Sequence, residues 1–315
     1  MKRECLKMAP QVLLKSLHMN IRMEESTFRI LIKALCRIKR IDSAIQIQKY
    51  MIDDGYSLDG KTCSLIMSSL CEQSKLTSVE AISIWEEMRK LGFCLGIIDY
   101  SNMIKFLVKA GKGMDAFNIL NQMKLDQIKP DIVCYTMVLS GIIAEGNYRK
   151  ADELFDELLV LGLVPDVYTY NVCINGLCKQ NKMEAAVEMV TYMEELDCKP
   201  NVVTCNTLLG ALCKSGEVNK ARDLVRKMRM RGVELNLHTY RIMLDGLVGK
   251  AEFIEACALL EEMLDKCFYP QSSTFDNIIS GICQKGLVDK AHELKKKMVA
   301  KYSSPGATAC AAPLL

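Results

Sequence analysis

The chain has only three histidines, His18, His238 and His292, and a single tryptophan, Trp85, in 315 residues. Three scattered imidazoles cannot build a histidine-rich metal centre, and none of the fifteen cysteines forms a C-x-x-C pair. Zinc ribbons, zinc fingers and thioredoxin-type redox motifs are therefore excluded, and no metal or other cofactor is expected. Nor is there an H-x-E with P-C-x-x-C signature, which removes zinc-dependent base deamination, and no nucleotide-binding loop is expected. Formal net charge is only +3, so an anionic partner must be met by charges gathered on one face. No apolar run approaches the ~20 residues that a membrane span requires, and no membrane partner is expected.

What the chain has instead is a period. Five of its seven prolines, Pro130, Pro165, Pro200, Pro270 and Pro305, are separated by multiples of 35 residues, with Leu235 on the missing beat. Alanine keeps the same interval at Ala116, Ala151, Ala186, Ala221, Ala256 and Ala291. Methionine follows at Met123, Met193, Met228, Met263 and Met298. Three residue types on one lattice define a tandem array.

Within residues 167–201, Tyr170, Val172, Ile174 and Leu177 form one apolar face, broken at Lys179-Gln180-Asn181-Lys182. Met183, Ala186, Val187, Val190 and Met193 form a second face at spacings of three and four. That is helical periodicity in two short blocks. Asp197 and the Lys199-Pro200 step close the second, because proline disfavours helical geometry in its predecessor. The expected fold is all-α: stacked helix-turn-helix repeats of 35 residues, each burying its apolar face against its neighbours. Units run 25–59, 60–96, 97–131, 132–166, 167–201, 202–236, 237–271 and 272–306, the second lengthened by two residues near Leu76-Thr77-Ser78. Residues 1–24 are expected to be a truncated half-repeat, and 307–315 a tail. The array is expected to form one solenoid. A start within a half-unit suggests a shortened form of a longer array.

Glycine recurs in the first helix at Gly141, Gly176, Gly246 and Gly281, where it costs roughly 1 kcal/mol relative to alanine. Close helix approach is the expected compensation. Cys36, Cys71, Cys178, Cys213 and Cys283 all occupy the twelfth place of a unit, which Val108, Ile143 and Val248 fill elsewhere. A place that takes cysteine or valine is expected to be a small, buried, apolar slot, and thiols in it imply a reducing compartment. Lys109, Lys179, Lys214 and Arg37 share the thirteenth place, with Lys250 and Lys285 one residue further on in their units. They are either solvated helix ends or, once stacked, a basic row. Paired glutamates such as Glu86-Glu87, Glu194-Glu195 and Glu261-Glu262 on the second helix are expected to form a solvated outer face.

The residues now on the page resemble the pentatricopeptide repeat. Tyr170-Asn171 through Gly176-Leu177-Cys178-Lys179, the recurring alanine, Glu261-Glu262-Met263, and the closings Lys129-Pro130-Asp131 and Lys199-Pro200-Asn201 carry the likeness over residues 25–306. Even spacing is similar to the family's P subclass, and the resemblance implies a right-handed superhelical solenoid. It also implies binding of single-stranded RNA, one base per repeat. By resemblance, the fifth and last residues of a unit read the base and the second wedges it. The pairs are Ser101 with Asp131, Thr136 with Asp166, Asn171 with Asn201, and Asn206 with Asn236. The wedges are Ile98, Val133, Tyr168 and Val203. Asparagine and threonine near a helix start are also ordinary caps, so a capping role stands beside the reading role.

Family rules assign hydroxyl-plus-aspartate to guanine and two asparagines to a pyrimidine, so the four central units imply G-G-Y-Y, read 5′ to 3′ from N- to C-terminus. Lys109, Lys179 and Lys214 complete the implied RNA surface. The outer pairs, Arg29 with Asp59, Ser64 with Gly96, Arg241 with Gln271 and Asp276 with Gly306, match no rule. The implied activity is binding to organellar transcripts without catalysis, in the mitochondrion or secondarily the plastid, with other RNA-processing proteins as further partners. The alternative is a protein-binding helical scaffold.

Overall fold

The computed structural model describes residues 24–56, 60–72, 77–92 and 95–302. The expected half-repeat, apart from Glu24, and the expected tail lie outside these residues. Among the described residues there are sixteen α-helices and no strand. The chain divides into two compact units, Met1–Pro165 and Asp166–Leu315.

The first unit holds α1 (Glu25–Arg37), α2 (Ile41–Asp53), α3 (Gly60–Cys71), α4 (Ser78–Lys90), α5 (Ile97–Lys109), α6 (Gly113–Leu125), α7 (Ile132–Ala144) and α8 (Tyr148–Val160). The second holds α9 (Val167–Lys179), α10 (Met183–Glu195), α11 (Val202–Lys214), α12 (Val218–Met230), α13 (Leu237–Gly249), α14 (Phe253–Asp265), α15 (Ser272–Gln284) and α16 (Val288–Tyr302). In each unit, successive odd-numbered helices pack on one another; α2, α6 and α8 in the first unit, and every even-numbered helix of the second, pack on their predecessors. The lattice residues are the core. Ala81, Ala116, Met88 and Met123 in the first unit, and Ala186, Ala221, Met193 and Met263 in the second, are fully buried.

Helix ends follow from local chemistry. Gly111 after α5 and Asp197 after α10 adopt the left-handed conformation, at φ 70° and 59°. The chain then turns back, with Lys112 N donating to Leu107 O at 2.9 Å and Cys198 N to Met193 O at 3.0 Å.

Tyr100, Tyr135 and Tyr240 fill the fourth place of their repeats and send their hydroxyls to carboxylates of the following helix. Tyr135 donates to Glu157 at 2.7 Å and Tyr240 to Glu262 at 2.7 Å, while Tyr100 donates to Asp126. Each carboxylate also meets a cation from the preceding repeat: Lys124 at Glu157, Arg229 at Glu262 and Arg89 at Asp126. Burial raises the Glu157 carboxyl, but bonds donated by Lys124 and Tyr135 outweigh it and hold the group below the ordinary range. Glu262 is lowered in the same way, burial being outweighed by Tyr240 and Arg229.

The glutamate pairs are thus not simply a solvated outer face. Glu87 pairs with Lys49, Glu194 with Arg231 and Glu262 with Arg229, each across a repeat boundary. The twelfth place also departs from expectation. Cys36 and Ile143 are buried there, Cys71, Cys178 and Cys213 are half-buried, and Cys283 is exposed. The slot lies near the helix end, where neighbouring turns no longer cover it fully. Burial still pushes the Cys71 thiol up to about 12 and Cys178 and Cys213 to about 11, so these are not activated nucleophiles.

Close approach does account for Gly141, Gly246 and Gly281. A Cβ on Gly113 would sit 2.3 Å from the Gly141 carbonyl carbon, so α6 and α7 touch backbone to backbone. Gly246 leaves room for the Cys213 sulfur and Gly281 for the Phe253 ring. Beside this contact, Glu145 accepts from Gly113 N at 2.6 Å and Met114 N at 2.9 Å, capping the helix of the preceding repeat. Lys250 lies against Gly216, and Lys285 donates to Ala251 O at 3.2 Å. These two lysines clasp the preceding repeat and do not extend a basic row.

Candidate nucleic-acid interface

The closing residue of each central repeat is the N-cap of the next odd-numbered helix. Asp131 accepts from Cys134 N at 2.9 Å, and Asp166 from Thr169 N and Oγ1 at 2.8 Å. Asn201 accepts from Thr204 N at 3.1 Å and Asn236 from Thr239 N at 2.9 Å. Each cap uses Oδ1, and all four side chains are exposed. Capping therefore leaves one oxygen of each aspartate, and the amide nitrogen of each asparagine, without a partner among the described residues. Capping and presentation are compatible because they use different atoms of the same group.

The fifth residues lie deeper than expected. Thr136, Asn171 and Asn206 are 3%, 9% and 6% exposed, and Ser101 is half-buried. The cause is a hydrogen-bond chain between repeats. Thr204 Oγ1 donates to Asn171 Oδ1 at 2.6 Å, and Thr239 Oγ1 to Asn206 Oδ1 at 2.9 Å. Thr204 and Thr239 belong to the capping boxes of Asn201 and Asn236. Thus Asn171 is joined to Asn201 through one hydroxyl. Asn206 also donates from Nδ2 to Asn236 Oδ1 at 3.3 Å. Ser101 reaches Asp131 through Cys134, its Oγ lying 3.2 Å from Cys134 Sγ. Thr136 donates to Ile132 O at 2.8 Å; it and Asp166 belong to different compact units.

The wedge residues stand on the surface one turn away: Ile98, Val133, Tyr168 and Val203 are 66%, 56%, 60% and 53% exposed. Within each unit, isolated apolar groups recur at fixed phase beside polar caps, and such groups can stack on unpaired bases. Lys109, Lys179 and Lys214 are exposed and form no ion pair among the described residues, but they occupy the other end of their helices. Twelve residues of rise put them ~18 Å from the caps along the axis.

One string contradicts the expected absence of a nucleotide-binding loop. Gly55-Tyr56-Ser57-Leu58-Asp59-Gly60-Lys61-Thr62 spells G-x-x-x-x-G-K-T. Its first glycine ends α2 and its second opens α3, so the strand-loop-helix setting that makes this string a phosphate cradle is not present. Thr62 is buried in the helix packing.

Sequence models described as PPR repeat family match residues 130–179, 165–204 and 200–249, and one described as pentatricopeptide repeat domain matches 83–145. Further PPR repeat models match 238–268 and 266–299, and one described as pentatricopeptide repeat-containing protein matches 3–92. The chain belongs to the pentatricopeptide repeat family.

Two mitochondrial pentatricopeptide repeat-containing proteins of Arabidopsis thaliana are similar to it. One is 45% identical over 118 residues, 38% of this chain and 26% of that protein. The other is 29% identical over 104 residues, 33% of this chain and 18% of that protein. Among solved structures, the pentatricopeptide repeat protein PPR10 from maize superimposes with a TM-score of 0.58 at 22% identity, covering 96% of this chain and 47% of PPR10. PPR10 in complex with an 18-nt psaJ RNA element gives a TM-score of 0.52, covering 95% of this chain and 48% of that one. The nuclear proteinaceous RNase P 2 of Arabidopsis thaliana gives 0.50 at 18% identity, over 60% of this chain and 42% of that one. These likenesses establish the solenoid fold. This pentatricopeptide repeat chain spans about a quarter or less of the curated relatives it matches.

Proposed function

We propose that this pentatricopeptide repeat protein is a sequence-selective binder of single-stranded RNA, of the P subclass, with one base addressed per repeat. The observation that carries the reading is the recurrence of an exposed cap, with one uncommitted polar atom, beside an exposed apolar wedge. A free carboxylate oxygen on Asp131 or Asp166 complements the N1–H and N2–H donors of guanine. A free amide on Asn201 or Asn236 complements the O2 and N3 acceptors of a pyrimidine. The central preference is then G-G-Y-Y. Burial of Asn171 and Asn206 makes them positioning residues that fix their caps through the Thr204 and Thr239 hydroxyls. Lys109, Lys179 and Lys214 supply phosphate contacts at the far rim.

The protein acts by occupation: it blocks a nuclease, opens a hairpin or recruits other RNA-processing proteins. Mitochondrial action is supported by the two Arabidopsis relatives. Because the fold also occurs in an RNase P, the absence of catalysis is a separate claim, checked by incubating bound RNA with Mg²⁺ and looking for cleavage.

The burial of Thr136, Asn171 and Asn206 favours the second reading, a protein-binding scaffold. A swap of Asn171→Thr with Asn201→Asp separates the two. Under RNA reading, that repeat changes from pyrimidine to guanine, and affinity falls with salt by about 0.7 log units per phosphate neutralised. A scaffold shows neither effect.

A further inference from the structure

The repeat 60–96 ends in Gly96, which has no side chain to present, and its fifth residue, Ser64, matches no rule. The structure supplies the missing group from three residues further on. Asp99 stands at the third place of α5, which is threonine in the repeats that begin α9, α11, α13 and α15. Its Oδ2 accepts from Ser64 Oγ at 3.0 Å and from Gly96 N at 2.8 Å. Asp99 therefore joins fifth and closing places as Thr204 does for Asn171 and Asn201, but as a carboxylate. It is 1% exposed, and its Oδ1 has no hydrogen-bond partner in the protein. A buried carboxylate oxygen without a donor is costly and rare. Among the described residues, the place where a closing side chain would stand is open: a Cβ on Gly96 would meet Asp99 Oδ2 alone, at 3.8 Å. Ile98, the wedge, is exposed beside it.

We propose that Asp99, reached through the gap left by Gly96, is the specificity-determining residue of the repeat 60–96 and selects a guanine there. This rests on the RNA-reading function above and lengthens its footprint by one base on the 5′ side, to G-G-G-Y-Y. Guanine fits because its Watson–Crick edge carries adjacent N1–H and N2–H donors, which the open place beside Gly96 brings to the Asp99 carboxylate, a group whose hydrogen-bonding capacity the protein leaves half unfilled. The inserted edge occupies the space that an ordinary closing side chain fills in other repeats.

The test is a set of single-stranded RNAs with G-G-Y-Y constant and the preceding base varied through G, A, C, U and inosine. The full chain should bind the guanine form roughly tenfold more tightly than the others, with inosine intermediate because it lacks the 2-amino group. Asp99→Asn should level the series while keeping the preference for G-G-Y-Y over a scrambled core. The double variant Asp99→Thr with Gly96→Asp, which moves the carboxylate to the closing place, should restore guanine preference. The inosine arm needs no variant and so does not depend on how well a mutant folds. If the wild-type chain selects the G-G-Y-Y core but is indifferent to the preceding base, this inference fails alone. If it does not select the core, the RNA reading fails and this inference with it.

Discussion

Replacing Thr204 with valine tests whether the reading pair is one physical unit. Thr204 is fully buried, donates to Asn171 Oδ1 at 2.6 Å, and accepts from Asn201 N at 3.2 Å. Valine keeps the shape and removes both bonds. Asn171 Oδ1 is then left inside the helix packing without a donor, which costs about 1–3 kcal/mol, and the half-covered Asn201 amide adds a value at the low end of that range. The sum is about 2–4 kcal/mol, equivalent to a fall in Tm of roughly 3–6 °C for a chain of this size. Thr207→Val is the control, since Thr207 only returns its hydroxyl to Val203 O at 2.9 Å on a half-exposed surface, and it should stay within ~0.5 kcal/mol of wild type. Thermal and urea unfolding followed by circular dichroism give the comparison. Binding of RNAs varied at the third base of G-G-Y-Y should show that Thr204→Val also weakens discrimination there, because Asn171 and Asn201 lose their common tether. Coincident melting of Thr204→Val and wild type would refute the claim that this hydroxyl organises the pair.

Glycine substitutions should split by environment. Gly113→Ala drives a methyl into the α7 backbone at 2.3–2.6 Å and should destabilise by several kcal/mol, whereas Gly210→Ala, mid-helix with nothing within 4 Å, should stabilise by about 0.5–1 kcal/mol in the same melts. Stability should also depend on acid. The folded-state carboxyls of Glu157 and Glu262 lie below their unfolded values, so their contribution is full above the ordinary glutamate range and is lost as pH falls through it toward 3. Urea midpoints between pH 6 and 3 should fall less steeply in Glu157→Gln with Glu262→Gln than in wild type. Tyr168→Ala removes an exposed ring, and should weaken RNA binding by about 1–3 kcal/mol while leaving Tm unchanged.

Much of the fold was legible because a 35-residue interval exposes core positions as recurring letters. Ala116, Ala186 and Ala221 recur because helices pack there, and each is fully buried. Helix limits were legible from Pro200 and Asp197, since both act locally on the backbone. Less could be read where one side chain does two jobs or reaches another repeat. The closing residues were read as cap or base contact, and the geometry makes them caps with an atom to spare. The depth of Asn171 was not visible, because it depends on Thr204, a residue 33 positions away. Lys250 and Lys285 were read as solvated helix ends or part of a basic row, whereas they, like Glu145, reach into the preceding repeat. Asp99 carried a usable signal, an acid where six of the other seven repeats have threonine, and only its distance to Ser64 and Gly96 gave that signal meaning.

The most direct test of RNA reading is selection of the wild-type chain against a random pool of single-stranded RNA, followed by sequencing and by salt titration of the winners. The account predicts enrichment of a G-G-Y-Y core in that 5′ to 3′ order, with affinity falling steeply as salt rises. A pool that emerges without a common core, or binding indifferent to salt, would contradict it.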